Sequence, residues 1–580
     1  MPRRKISLWL IVAALALAAP AMAQTRNLEL YATTDLHGHL VPHMIHPPGK
    51  RDGLVEVGGL AMIGGLLKNA RARYPGRVML VDGGDLMQGT LASNLGEGAA
   101  MIRGLNPLGY TAVAIGNHDF DYGPIGPNPV PKAPGDDPRG ALKARIAEAK
   151  FPLLAANIVG DDGARPFPGH VVRVIDGVPV GIVGATTTGL PTTTMRPNVI
   201  GLRVEALLPA VLAAAAQAKQ QGARVLVLVM HAGGECARPP RGFTDADADD
   251  LAGCNLQEEG FALARALAAE TKRGGPRWSA IVGGHTHQAV TAVIDGVPFV
   301  QAGKNGEHLV HVSIEVGGRG AQAAPTGKFT IERAIDVRAG EYLGPVVPDA
   351  AVTAAIADDL KRAQVVADRP IGVELPEGLP AGYHDESALG NFAADALRHA
   401  AKADVGVING GGLRADLPAG PLTYGRLYEA FPFDNQLVSV EMTGADLRRT
   451  IVHNLHSRFG ALSYSGLHVQ ARCDGGKVLV EIKLADGHAL DPKARYHVGA
   501  PDFLAQGGDD AVRSPRTIGP PIELVRAALE DALHRHGGVL HARDPAVFDP
   551  AHPRVAMPGP RPIGCGQVEP HDEPPSGPQK

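Results

Sequence analysis

Aromatic side chains make up only 4% of the 580 residues, and no long apolar run follows the first two dozen positions. The second absence excludes a chain built from membrane-spanning helices, each of which needs roughly 20 apolar residues in a row. The first makes a Phe in a loop a candidate ligand contact before it is assigned to core. Basic charge is not in excess: Lys and Arg number 56 against 60 Asp and Glu, a net charge of −4. That balance argues against binding nucleic acid through bulk charge. The four cysteines, Cys236, Cys254, Cys473 and Cys565, include no C-x-x-C unit, so their spacing gives no sign of a zinc cluster.

What is present begins with a basic Arg3-Arg4-Lys5, an apolar run from Ile6 to Ala19 and a small-residue site at Ala21-Met22-Ala23. This is the pattern of a signal peptide over residues 1–23, too short to span a bilayer. The mature chain is expected to be periplasmic or secreted, without stable membrane insertion. That compartment permits disulfides. Among the three possible pairings, Cys236 with Cys254 is favoured, because the Asp-, Pro- and Arg-rich loop between them has little else to hold it.

Across 24–340, short apolar runs (28–33, 78–81, 111–115, 178–183, 225–230 and 280–282) alternate with helical spacing (59–73, 141–149, 204–221 and 258–272), which predicts a layered α/β domain. A linker at 341–368 carries a helix over 350–366 that reads as solvated. The segment 369–548 has an α+β texture, with a helix at 387–401, a strand at 405–408 and hairpin-like segments such as 478–484. The Pro-, Gly- and His-rich tail 549–580 is expected to have little structure beyond what Cys565 ties down.

Five of the six apolar runs of the first domain end in metal-ligand residue types: Asp35 and His37, Asp85, Asn117, His231, then His285 and His287. Ligand sites of α/β folds lie at such strand ends. A single Asp-x-His there is ordinarily a capped turn, and Asp82, His39 and Asp119 read as turn or supporting residues. The ordered set of five strand ends is what points to metal. Asp85, behind Gly83-Gly84, is the candidate bridge between one ion on Asp35, His37 and His287 and another on Asn117, His231 and His285. Imidazole and carboxylate suit divalent zinc, manganese or iron. Two such ions clamp the oxygens of an in-line displacement at phosphorus.

The motifs Thr33-Thr34-Asp35-Leu36-His37-Gly38-His39, Gly83-Gly84-Asp85, Gly116-Asn117-His118-Asp119-Phe120-Asp121 and Gly284-His285-Thr286-His287 resemble the calcineurin-like metallophosphoesterases, and within them the 5′-nucleotidase family. The second half adds Glu386-Ser387-Ala388-Leu389-Gly390-Asn391, Asn409-Gly410-Gly411-Gly412-Leu413-Arg414, Phe431-Pro432-Phe433-Asp434-Asn435 and Asp502 to Asp509. The resemblance implies a four-layer α/β/β/α first domain, a linker helix and an α+β substrate-binding domain. It further implies a His118–Asp121 catalytic dyad, substrate contacts from Asn409 and Arg414, a nucleobase between Phe433 and Phe503, and ribose hydroxyls on Asp509. Relatives often carry Arg shortly before the Glu-x-x-x-Gly-Asn motif. Here Tyr383-His384-Asp385 stands there, leaving Arg414 as the cation for a substrate phosphate, with His384 as a possible helper.

These residues imply a nucleotide substrate rather than a nucleic-acid polymer, and most directly the activity of a 5′-nucleotidase. A 2′,3′-cyclic-nucleotide phosphodiesterase with 3′-nucleotidase activity or a UDP-sugar hydrolase could be built from the same residues. A nucleotide-binding protein without catalysis is the non-enzymatic alternative, and the intact ligand series with His118 speaks against it.

Overall fold

The computed structural model describes residues 25–46, 53–236, 251–512 and 516–565. The expected signal peptide lies outside them. Two six-stranded sheets form the first half. In one, the strands Thr25–Thr33, Val78–Asp82, Ala112–Ala114 and Leu153–Leu154 run parallel, and His308–Gly317 and Ala324–Asp336 add an antiparallel edge. In the other, Val178–Thr186, Val225–His231, Ala280–Val282 and Val297–Ala302 run parallel between the antiparallel edges His170–Ile175 and Ala289–Ile294.

Strands buried on both faces are apolar at nearly every position, and these are. Leu28, Leu30, Met79 and Val81 of the first sheet meet Val180, Ile182, Val227 and Val229 of the second in a core between the sheets. The opposite faces pack on helices: Tyr31, Leu80 and Val113 against Leu60–Arg73 and Ala99–Leu105, and Val183, Leu226 and Leu228 against Leu207–Gln220 and Glu259–Lys272. The result is the four-layer α/β/β/α order. Stacking the sheets also brings the carboxyl ends of both sets of parallel strands to one edge.

The second half holds a five-stranded sheet in the order Leu462–Ser465, Val405–Asn409, Arg495–Pro501, Gln436–Thr443, Arg516–Leu524. The helices Ala388–Ala400 and Val525–Arg535 cover one face, and the helix Gly444–His456 with the hairpin Leu467–Asp474/Lys477–Leu484 covers the other. Among the described residues, no helix is long and apolar enough to cross a membrane.

Two expectations need correction. The helix Ala350–Ala367 is not simply solvated. Its Val352 and Ile356 enter the first domain's outer core, and Asp359, 7% exposed, takes a two-pronged bond from Arg103 at 2.9 and 2.6 Å. The tail up to Cys565 is also built into the second domain. Val555–Ala556 adds a short parallel strand, Arg554 grips Asp395 at 2.9 and 2.8 Å, and Arg561 donates to the carbonyl of Asn454. Disulfides join Cys236 to Cys254 and Cys473 to Cys565.

Far from the strand ends, His311 lies between two carboxylates, with Nε2 2.9 Å from Glu29 and Nδ1 3.0 Å from Glu332, and its ring stacks on Tyr31. Burial opposes its charge, but the bonds to Glu29 and Glu332 outweigh burial and raise its pKa. A raised folded pKa adds stability that is full below the unfolded value, about 6.5, and is lost as pH rises through the folded one. The stability advantage of wild type over His311→Gln in urea unfolding should therefore be largest below about pH 6.5 and shrink at higher pH. Ile356→Ala should cost about 2–4 kcal/mol, as a buried core truncation does, whereas Val365→Ala, at a position 79% exposed, should stay within about 0.5 kcal/mol. Equal small effects would restore the solvated reading of the helix.

Candidate metal centre

All seven predicted ligands stand where strands end. Asp35 and His37 follow Thr25–Thr33, Asp85 follows Val78–Asp82, Asn117 follows Ala112–Ala114, His231 closes Val225–His231, and His285 and His287 follow Ala280–Val282. Five of them have left-handed backbone: Asp35 (φ 52°), His37 (46°), Asp85 (58°), His285 (77°) and His287 (60°). Such conformations are costly outside glycine and concentrate at functional sites. They turn the chain sharply enough to aim successive side chains into one point. Gly116 makes room for that: a Cβ there would lie 2.1 Å from Asp85 Oδ1.

The tautomers follow from backbone partners, since a carbonyl can only accept. His37 Nδ1 donates to the carbonyl of Gln88 at 2.9 Å, which leaves a bare lone pair on Nε2. That Nε2 lies 2.8 Å from His287 Nε2 and 3.7 Å from Asp85 Oδ2, and His287 Nε2 lies 3.7 Å from Asp35 Oδ1. Donor atoms of Asp35, His37, Asp85 and His287 all fall within 4.8 Å of one another. His231 repeats the arrangement. Its Nδ1 donates to the carbonyl of Gly83 at 2.9 Å, and its Nε2 faces Asn117 Oδ1 at 2.9 Å, Asp85 Oδ2 at 3.0 Å and His285 Nδ1 at 3.2 Å. Asn117 is oriented by its own Nδ2, which donates to the carbonyl of Thr193 at 2.8 Å.

Imidazole nitrogens and carboxylate oxygens thus crowd together, and Asp35 Oδ2 is buried without a hydrogen-bond partner while Asp85 Oδ2 has His231 Nε2 for a neighbour. Buried polar atoms left so are expensive, and a cation is the partner that satisfies many lone pairs at once. The electrostatics agree. Burial, with repulsion from Asp85 opposed by attraction to His231, pushes the Asp35 carboxyl up to about 7. Burial disfavours charge on His231 too, yet Asp85 and Asp35 raise it to about 10, so the site strongly favours positive charge there. Burial holds His37 and His287 well below the usual imidazole range and His285 at about 3, which keeps them neutral, as metal ligation requires. The residues fit a nitrogen- and oxygen-ligated divalent metal, with Asp85 common to both groups.

The supporting residues sit behind. Asp82 accepts from Thr33 and from the amide of Gly84; Asp119 accepts from the amides of Gly116 and Leu86. His118 donates from Nδ1 to Asp121 at 2.6 Å, while its amide donates to Asp85 Oδ1. Burial disfavours the His118 imidazolium, but Asp121 and Asp85 outweigh it and its pKa is raised.

From the second domain, Arg414 reaches the same spot, its Nη2 3.4 Å from His37 Nε2. Phe433 lies with its ring centroid 5.5 Å from that of His118 and 5.7 Å from the Arg414 guanidinium. Asn409 donates to Asp509 at 2.6 Å, and burial pushes that carboxyl up to about 6. Phe503 packs partly into the second domain's core, and among the described residues its ring makes no contact with that of Phe433. His384 is exposed, its ring edge-on to Tyr383.

Sequence reading missed the contacts that hold the Phe433 loop: Gln88 and Asn94 both donate to the carbonyl of Pro432, and buried Arg526 donates to the carbonyls of Phe431 and Phe433. It also missed Thr194, which donates to Asp121 at 2.6 Å. Uncharged amides and a lone threonine leave no motif. Only the Arg526 position, an arginine inside an apolar helical stretch, carried a visible signal.

Metal-ligand residue types at the sheet edge, with an arginine reaching in from the second domain, form an arrangement suited to binding a phosphoester. Residues 371–513 match the family described as 5′-nucleotidase, C-terminal domain. Human 5′-nucleotidase is 26% identical over 499 residues, 78% of each chain. Endonuclease YhcR of Bacillus subtilis is 25% identical over 546 residues, and cell wall protein Lmo0130 of Listeria monocytogenes 24% over 529. The matched region spans 90% and 85% of this chain but 42% and 64% of those two proteins. The crystal structure of a 5′-nucleotidase precursor from Thermus thermophilus superposes with a TM-score of 0.70 at 24% identity, covering 92% of this chain and 99% of that one. Residues 371–513 thus carry a 5′-nucleotidase C-terminal domain, and the chain as a whole is similar to 5′-nucleotidases.

Asp85→Asn should lower metal affinity about 10–100-fold, and His118→Asn should leave metal per chain unchanged, both read by elemental analysis after dialysis against limiting metal. Unchanged metal in the Asp85 variant would overturn Asp85 as a shared ligand.

Proposed function

We propose that the chain is an exported phosphohydrolase that releases phosphate from nucleoside 5′-monophosphates. Two divalent cations, zinc or manganese in kind, would be held by Asp35, His37 and His287 on one side and Asn117, His231 and His285 on the other, with Asp85 between them. The carrying observation is the pair of buried histidine groups that share Asp85, with Arg414 directed at them from the other domain. When bound, the cations supply Lewis acidity toward phosphoryl oxygens and acidify the attacking water.

The chain's own residues do the rest. His118 keeps Nδ1 on Asp121, so Nε2 is the atom that gives a proton to the leaving ribose oxygen. Arg414 offers a forked donor to the phosphate and fixes its position. Phe433 and Phe503 provide apolar faces for the base, which any base can use, and Asp509, oriented by Asn409, accepts from ribose hydroxyls. The domain limits proposed from sequence, 24–340, 341–368 and 369–548, place the cations on one domain and nucleoside recognition on the other. Export rests on the signal-peptide pattern, and the Listeria relative's description as a cell wall protein agrees with it.

The test is phosphate release from 5′-AMP, UDP-glucose, 2′,3′-cyclic AMP and bis(p-nitrophenyl) phosphate, with chelator and with added Mn²⁺ or Zn²⁺. Release from 5′-AMP that chelator abolishes and metal restores is expected, and His118→Asn should lower its turnover about 10²–10⁴-fold. Activity confined to the cyclic ester or the diester would move the assignment to a phosphodiesterase, the chemistry that the Bacillus relative's name describes. Silence with every metal would leave a binding protein.

A further inference from the structure

The short helix Leu190–Thr193 and the residues after it contain none of the motifs above, yet they hold three parts of the centre. The carbonyl of Thr193 accepts from Asn117 Nδ2 at 2.8 Å. Asn198, fully buried, donates from Nδ2 to the carbonyl of Phe120 at 2.9 Å, inside the turn that carries His118 and Asp121. Thr194, 2% exposed, places Oγ1 2.6 Å from Asp121 Oδ1. The other oxygen of the same carboxylate, Oδ2, is the one that meets His118 Nδ1 at 2.6 Å.

A carboxylate in the ionised state only accepts, so the Thr194 hydroxyl is the donor and its single proton is committed to Asp121. With both oxygens bonded, the carboxylate cannot rotate about its Cβ–Cγ bond without breaking one of the two bonds. The hydroxyl itself is confined, because a β-branched side chain has few χ1 choices. We infer that Thr194 is a positioning residue for the reaction: it fixes the plane of the Asp121 carboxylate, and through it the ring of His118. This rests on the phosphohydrolase reading above and adds to it a third member of the His118–Asp121 pair.

The same segment meets the second domain. Met195 Sδ lies 3.4 Å from Asn435 Nδ2, and that amide also donates to Asp502, whose carboxylate fixes the amides of Gln436 and Phe503. Thr194 therefore stands one residue from a contact that forms only when the two domains are together.

Thr194→Val keeps the shape and removes the donor; Thr194→Ser keeps the donor. On 5′-AMP, Thr194→Val should lower kcat about 10–100-fold with KM within about threefold, and Thr194→Ser should stay within about threefold of wild type in both, the size of effect usual for a group that orients an active-site residue. Combined with Asp121→Asn, Thr194→Val should add no further loss, because it acts through Asp121 alone; a structural defect would add its own. The loss should also be smaller on p-nitrophenyl phosphate, whose leaving group needs little protonation. Metal per chain should match wild type. A Thr194→Val enzyme with unchanged kcat, a Ser variant as damaged as the Val variant, or additive loss with Asp121→Asn would each overturn the inference while leaving wild-type phosphate release intact. A wild-type protein that releases no phosphate from any ester would overturn the phosphohydrolase reading, and this inference with it.

Discussion

The constraint on which this molecule turns is a buried crowd of carboxylates and imidazoles around Asp85. His37 and His231 each spend one ring nitrogen on a backbone carbonyl and turn the other toward Asp85, beside His287 and Asn117. Buried in a low-dielectric interior, such a set is repulsive until positive charge enters it. Ligand binding and folding are therefore linked: a cation that binds only the folded chain adds its binding free energy to stability.

Holding acceptors in that posture needs stiff support. The left-handed turn at Asp85 is flanked by amides held on buried carboxylates that do not enter the centre. Asp119 brackets two of the ligand loops, since its two oxygens take the amide of Leu86, beside Asp85, and the amide of Gly116, beside Asn117. Burial, with the nearby Asp85 charge, pushes the Asp119 carboxyl up to about 7. Asp82 does the same for the turn at Gly84. The carboxylates beside the ligands are as much part of the centre as the ligands are.

The convergence of the candidate ligands could be expected from the sequence because each stands at the end of an apolar strand and, at Asp85, Asn117 and His285, after a glycine that lets loops approach. Strand ends converge when sheets stack, so strand position alone predicted proximity. Thr194, Gln88 and Asn94 could not be read so, because an uncharged side chain acquires its role only from what lies opposite it in space. The buried stripe of the 350–367 helix was hidden by its Ala-rich sequence, in which Val352 and Ile356 suffice to anchor it between the outer helices of the first domain. The tail was misjudged on composition: Pro and Gly discourage helices and strands, but do not prevent an extended strap from packing through Arg554 and Arg561.

That strap has a consequence for the order in which the chain matures during synthesis. The first domain has its outer core complete once the helix ending at Ala367 has emerged. The second must wait for its last described residues: Asp395 gains its partner only with Arg554, Glu386 bonds the amide of Val555, and Cys473 stays unpaired until Cys565 arrives, 92 residues later. Arg414 and Phe433, which approach the candidate metal centre, belong to the part of the molecule whose contacts are completed last along the chain.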